Sequence, residues 1–480
     1  MLTSVRAVQP DLDTSSALDL AAAIRRREVS PTEVMDATLA AVEARNPALN
    51  AVIWIDEDDA RARARAATEH IAAEGTDDLP PFFGVPIPIK DLSPVQGWPC
   101  TYGSPGASDA PAPETGLVVQ RLETAGFLLC GRTNTPEFGT VTATENDRYG
   151  ITRNPWDLER TSGGSSGGAS AAVAGGMFTI AHASDGGGSI RIPATTTGLV
   201  GLKAARGRIP SEIVDWEGAA TQGVVSRTVA DTAAALDAVA VPDPLAWWNA
   251  PPPARPFLDE VGADPGRLRI AVAATSPLGI DVDPECVAAV QRTVDALADA
   301  GHEVVDHAFD AHADAFIAGF VHVVNAGLAD YDVDWDRVQA NNQANRGYAQ
   351  KVDSLTYVRA VGDLQRWTRT VNAQWGRDFD LLVTPTMPIQ PYPAGQILRE
   401  ITEAPGDTSM TVLASVSFTS LFNMNGLPAI SLPVHQAGDT GLPVGAQLVA
   451  GPWQEASLLR VAAQVEQLLP WADRRPPSVG

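Results

Sequence analysis

The sequence predicts an α/β fold: a large, mixed and twisted β-sheet covered by helices on both faces, with a helical cap region. Three observations carry this expectation. Short apolar runs of strand length alternate with helical stretches along the chain. No low-complexity linker is long enough to separate independent domains, so residues 1–480 read as a single domain. One stretch, from about 310 to 375, breaks the alternation: it is helical, polar and aromatic, with Trp335, Tyr348, Tyr357, Trp367 and Trp375.

The elements follow in order. TSSALDLAAAIRRREVS has an N-cap serine, periodic Leu and Ala, and arginines in its last turn. SPTEVMDATLAAVEARNP begins with Ser30 as cap, Pro31 at the first helical position and Glu33 closing a capping box. WIDEDDARARARAATEHIAAE continues as a polar, alanine-rich helix with a solvated face. FFGVPIPIKD (82–91) is a buried strand that delivers Lys90 to a strand end. ETGLVVQRLETAGFLLCGRTN (114–134) is a helix, a glycine stop and a strand, with Cys130 in the strand core. NPWDLERTSG is polar and shows no strand, whereas TSGGSSGGASAAVAGG (161–176) grades into a small-residue helix. FTIAHASDGGGSIRIPA carries His182 in mid-strand. GRLRIAVAA and GHEVVDHAF flank a helix at 283–300 as a βαβ unit. FDLLVTPT and LPAISLPV are strands, and EASLLRVAAQVEQLLPW closes the chain as a helix.

Composition narrows the function. The net charge of −24 disfavours nucleic acid and anionic membranes as partners. Cys100, Cys130 and Cys286 are too few and too scattered for a disulfide framework or a zinc site, so no metal is expected. The stretch AAVAGGMFTIAHA is too short and glycine-rich to span a bilayer. MLTSVRAVQPDLD lacks the basic-then-apolar pattern of a signal peptide, so a cytoplasmic location is expected. What remains as partner is a small molecule, with the oligomeric state left open between monomer and homodimer.

Lysine usage is the most telling detail. Only Lys90, Lys203 and Lys351 occur among 34 basic residues. Lysine can lose its proton and act as a base; arginine stays charged. Lys90 therefore stands out.

The stretch SDGGGSIR (184–191) needs a reason for its glycines. A phosphate loop would need a lysine nearby, and none lies between 163 and 191. A dinucleotide loop would open a helix, and Pro193 speaks against that. GSSGG (164–168) matches the G-x-S-x-G elbow around Ser166, but no strand precedes it and no histidine offers a relay. The remaining reading is an oxyanion loop. The amides of Gly186, Gly187, Gly188 and Ser189 can converge on a carbonyl oxygen, such donors each contributing about 2.7–4 kcal/mol. A serine hydroxyl still needs a base, and Lys90 is the candidate.

Taken together, GVPIPIKD, GRTNTPEFG, RNPWDLERTSGGSSGGASAAVAGG, SDGGGSIRIPA, GLK and NMNGLPAISLPV…GLPVGAQLV resemble the amidase signature family of serine hydrolases, in family order. The resemblance covers most of the chain and marks about 80–235 as the signature core. It implies a Ser–cis-Ser–Lys triad: Lys90, Ser165 and Ser189. Neutral Lys90 would relay a proton through Ser165 from Ser189, which attacks the carbonyl to form an acyl-enzyme. Gly186, Gly187 and Gly188 would form the oxyanion hole, and no cofactor is implied. Ser166 is expected to hold the lysine, and Asp185 to pair with Arg191. For Ser166 a plain backbone-turn role stays equally open. Bringing lysine from about 10.4 to near neutrality takes about 4 kcal/mol, and burial acts in that direction.

This chain departs from the family pattern in two places. It has Ser184-Asp185-Gly186-Gly187-Gly188-Ser189 where T-D-T-G-G-S is common, and GLKAARGRIP where GLKPTRGR is common. Ile192 stands where the tRNA-dependent amidotransferases of the family have glutamine, and the acidic surface suits tRNA poorly. The expected activity is therefore hydrolysis of aryl or alkyl amides, with carbamates (urethanes) and esters as extensions. The alternatives are a glutaminase of the amidotransferase type and a non-catalytic scaffold.

Overall fold

Two sheets organise the chain, described for residues 12–477 in a computed structural model. The larger has eight strands in the spatial order Glu303–Val304, Arg269–Val272, Leu381–Pro385, Pro443–Ala450, Ala429–Gln436, Val200–Lys203, Thr221–Ser226, Ile180–Asp185. The first three run parallel and the remaining pairs antiparallel, so the sheet is mixed. The smaller sheet sets Leu128–Thr133 between Val52–Trp54 and Pro86–Lys90.

Strand periodicity explains the layers. Successive side chains point to opposite faces. Leu381 and Val383 enter the core shared with helices Pro284–Asp299 and Glu455–Leu468, while Leu382 joins Ala271 and Val449 under Phe316 and Trp367. The second of these cores belongs to the cap. Its helices, Ala313–Ala326, Ala340–Ala349 and Ser354–Asn372, fall where the polar aromatic stretch predicts them. Trp367 and Trp375 are buried there.

The helix starts follow their caps. Ser16 and Asp19 form one capping box before Ala17–Arg25, and Ser30 and Glu33 another before Pro31–Leu49. Four expectations are corrected. The segment NPWDLERTSG holds a short strand, Asp157–Thr161, paired with Arg153–Asn154. Its residues are exposed or half-buried except Thr161, so it carries no apolar alternation, and Thr161 N–H donates to Tyr392 O. The polar helix starts at Glu57, because Val52–Trp54 is recruited as a strand. Strands Thr221–Ser226 and Pro443–Ala450 complete the sheet, beyond the strands the sequence predicts. Finally, a helix does open after the glycines, at Arg191–Thr197. Pro193 sits in its first turn, where the missing N–H has no intrahelical partner to lose.

Candidate active site

Three elements converge at Lys90. Strand Pro86–Lys90 is fully buried and ends against strand Ile180–Asp185, where Lys90 N–H donates to His182 Nδ1 at 3.3 Å. The turn before helix Gly167–Ala174 brings Ser165 and Ser166, and its Gly164–Ser165 peptide bond is cis. The lysine Nζ lies 2.7 Å from Ser165 Oγ, 2.9 Å from Ser166 Oγ and 3.0 Å from Ser184 Oγ.

Those three hydroxyls are not equivalent. Ser166 Oγ accepts from Ser184 N–H at 3.3 Å and donates to Ser184 O at 3.1 Å, so its proton is committed. It can fix the lysine but not donate to it. Ser165 Oγ has Lys90 as its hydrogen-bond partner and is free to rotate its proton toward the nitrogen. An ammonium donates to all three hydroxyls, whereas a neutral amine donates to two and accepts from the third.

Lys90 is inaccessible to solvent, and burial lowers its pKa to about 7, against an opposing pull from the Asp185 charge. His182, beside it, shares a hydrogen bond with Gln222 Oε1 at 3.0 Å, and burial lowers it to about 4. A neutral imidazole therefore adds no charge that would compete with the lysine. Lys203 is buried too and lowered to about 7 by burial and then by Arg191, but its Nζ donates to Ala204 O, away from the serines.

The serine loop is built on Asp185. Burial alone would raise this carboxyl, but Arg191 and the surrounding donors hold it far below the ordinary carboxylate range. Arg191 Nε and Nη2 donate to it at 2.9 and 3.0 Å, and Asn423 Nδ2 at 2.8 Å. Arg191 Nη1 reaches Gln447 Oε1 at 2.6 Å. Both members of the pair are fully buried. Asp185→Ala leaves that guanidinium uncompensated, so unfolding in denaturant is expected to show a loss of about 3–5 kcal/mol.

One oxyanion assignment is corrected. Gly188 N–H donates to Asp185 Oδ1 at 2.8 Å and is not available to a substrate oxygen. The N–H groups of Gly186, Gly187 and Ser189 remain. The third glycine serves geometry instead: Gly188 has φ +132°, and a Cβ there would collide with Thr419 and Ile192. Thr419 Oγ1 in turn donates to Gly187 O at 2.7 Å. Gly188→Ala is expected to lower the melting temperature by several degrees and to reduce turnover, measured by thermal unfolding beside an activity assay.

Ser189 follows at the lip of the loop, 8% exposed, and its carbonyl accepts from Ser166 N–H at 3.2 Å. This bond ties the Ser165–Ser166 turn to the glycine loop. Among the described residues no hydroxyl bond joins Ser165 to Ser189; such bonds commonly tighten only with substrate. The structure thus gathers Lys90, Ser165, Ser166, Ser184, Asp185 and Arg191 around one loop. Three contributors go unassigned in the sequence. Ser184 was legible, because it lies two residues beyond His182 on the same strand face. Asn423 and Gln447 sit inside recognised motifs, but nothing local shows that they meet Arg191.

Among the described residues no helix is long and apolar enough to cross a membrane. A cavity of about 640 Å³ lies between the cap helices, lined by His312, His322, Arg359 and Trp367 among others, and none of the site residues borders it.

The fold gathers a buried lysine, clustered serines and a glycine loop, the parts a serine hydrolase needs. The amidase family model matches residues 33–459, and the chain belongs to that family of C–N amide-bond hydrolases. It is 38% identical to 6-aminohexanoate-cyclic-dimer hydrolase of Paenarthrobacter ureafaciens, over 94% of both chains. It is 34% identical to the acylamidase of Rhodococcus erythropolis, over 98% of both. The solved structure of 6-aminohexanoate cyclic dimer hydrolase complexed with substrate superposes with a TM-score of 0.90 at 36% identity, covering 98% of this chain and 100% of that one.

Proposed function

We propose that the protein hydrolyses aryl and alkyl amides, and carbamates of aryl amines, through an acyl-enzyme on Ser189. The observation that carries this reading is the buried Lys90 nitrogen, lowered to about 7 and 2.7 Å from Ser165 Oγ. A lysine neutral near pH 7 can accept the proton of Ser165, which takes that of Ser189 as the hydroxyl attacks the carbonyl carbon. The N–H groups of Gly186, Gly187 and Ser189 hold the developing oxyanion. As the tetrahedral intermediate collapses, Ser165 protonates the departing nitrogen and recovers a proton from Lys90. Water then cleaves the ester by the same relay in reverse.

Aromatic surroundings support the preference for an apolar substrate. Gly139 lies against Ser165, where a Cβ would stand 3.2 Å from Oγ. Next to it Phe138 packs with Tyr331 and Trp335 of the cap, and Tyr102 packs against Tyr331. Two relatives, named as a cyclic-dimer hydrolase and an acylamidase, support amide hydrolysis over a tRNA-linked role. Three free cysteines suit a reducing, cytoplasmic setting.

The test is product release from a primary carboxamide, an aryl anilide, an aryl carbamate and glutamine. Aniline from the anilide and the carbamate is the expected result. Ammonia from the carboxamide or glutamine alone would overturn the aryl preference.

A further inference from the structure

Residues 215–218 make a left-handed turn in which Trp216 (φ 51°), Glu217 (φ 55°) and Gly218 (φ 73°) follow one another. Two consecutive side chains in that region are costly, and such strain persists only where surrounding structure fixes it. Here it is fixed from three sides. Tyr357 OH of the cap donates to Glu217 Oε1 at 2.9 Å. Arg206 Nε donates to Gly218 O at 3.2 Å. The indole itself lies between two glycines: a Cβ on Gly186 would stand 2.7 Å from Trp216 Cζ3, and one on Gly327 would run into Trp216 Nε1.

Gly186 belongs to the oxyanion loop and Gly327 ends cap helix Ala313–Ala326. The ring therefore spans the seam between the nucleophile loop and the cap. It packs against the edge of the cap core yet is only half-buried, so part of the ring stays open to the outside. Immediately beyond, Gly187 faces open space, with nothing within 4 Å of where a Cβ would stand.

We propose that Trp216 is a specificity-determining residue: its indole forms the wall of the cleft in front of Gly187, on which a planar aryl group of the substrate stacks. This rests on the amide-hydrolase reading of Ser189. Offset stacking on a rigid, pre-placed ring favours aryl substrates over aliphatic ones of similar size, and the Glu217–Tyr357 bond holds the ring ready.

The experiment compares wild type, Trp216→Leu and Trp216→Phe on p-nitroacetanilide and hexanamide. The expected result is a fall of at least tenfold in the ratio of kcat/KM for anilide over hexanamide in Trp216→Leu, mainly through KM. Trp216→Phe should recover most of that ratio. Equal losses on both substrates, or no change in the ratio, would overturn the proposal. The rate of labelling by a fluorophosphonate is read in parallel, so that a collapsed site is recognised in the variant. A wild type that neither labels nor hydrolyses either substrate would instead remove the hydrolase reading on which the proposal stands.

Discussion

Ser189→Ala is expected to reduce amide turnover by about 10⁴-fold or more, with the melting temperature within about 2 °C of wild type. The residue sits at the end of a loop held by other atoms. Asp185 takes the N–H groups of Gly188 and Ile190, Thr419 donates to Gly187 O, and Ser166 N–H donates to Ser189 O. None of these involves the Ser189 hydroxyl, so its loss removes chemistry and leaves the loop in place. Residual rate would come from the oxyanion donors and substrate binding. Fluorophosphonate labelling should vanish in the same variant. If Ser189→Ala still released aniline from an anilide and Ser165→Ala did not, the nucleophile would have to be Ser165.

The second large effect is on pH dependence. With Lys90 at about 7, kcat/KM should rise about tenfold per pH unit below that value and level off above it, because only the neutral amine accepts a proton. Lys90→Met should cost on the order of 10³-fold or more on anilides, and less on activated esters, whose leaving groups need no proton. A profile flat from pH 5 to 9 would sink the lysine base.

Lys90 also links activity to stability: the lowered value that serves the reaction costs the fold. Its folded value is lowered from 10.5 to about 7, so the unfolded chain binds more protons across that window. The resulting destabilisation is fully present below pH 7 and fades as pH rises toward 10.5; it is on the order of 5 kcal/mol at its largest. Removing the amine in Lys90→Met should therefore raise the unfolding midpoint, and by more at pH 6 than at pH 9. The same variant loses three hydrogen bonds to serines, which offsets part of the gain.

Much of this site was legible in the chain because its parts are local. The apolar run before Lys90, the paired serines and the glycine loop each lie within one short segment, and an almost lysine-free sequence singled out Lys90. Alternation of strands and helices likewise announced a mixed sheet under two layers of helix. What escaped was assembly at a distance. Gly188 looked like an oxyanion donor because sequence spacing alone cannot show that its N–H turns back to Asp185. Trp216 carried no signal, since its importance arises from where Gly186 and Gly327 meet it. Strand Asp157–Thr161 was missed for a simpler reason: a two-stranded pair at the surface needs no apolar period.

The scarcity of lysine has a practical side. Lys90 and Lys203 are sealed in the interior, while Lys351 stands exposed in the turn between helices Ala340–Ala349 and Ser354–Asn372. Amine-reactive dyes, cross-linkers and activated resins would therefore find one lysine address on the native protein. That address is on the cap, not in the core that holds Lys90. Molecules coupled through it would all be held by the same point on the cap, without a tag.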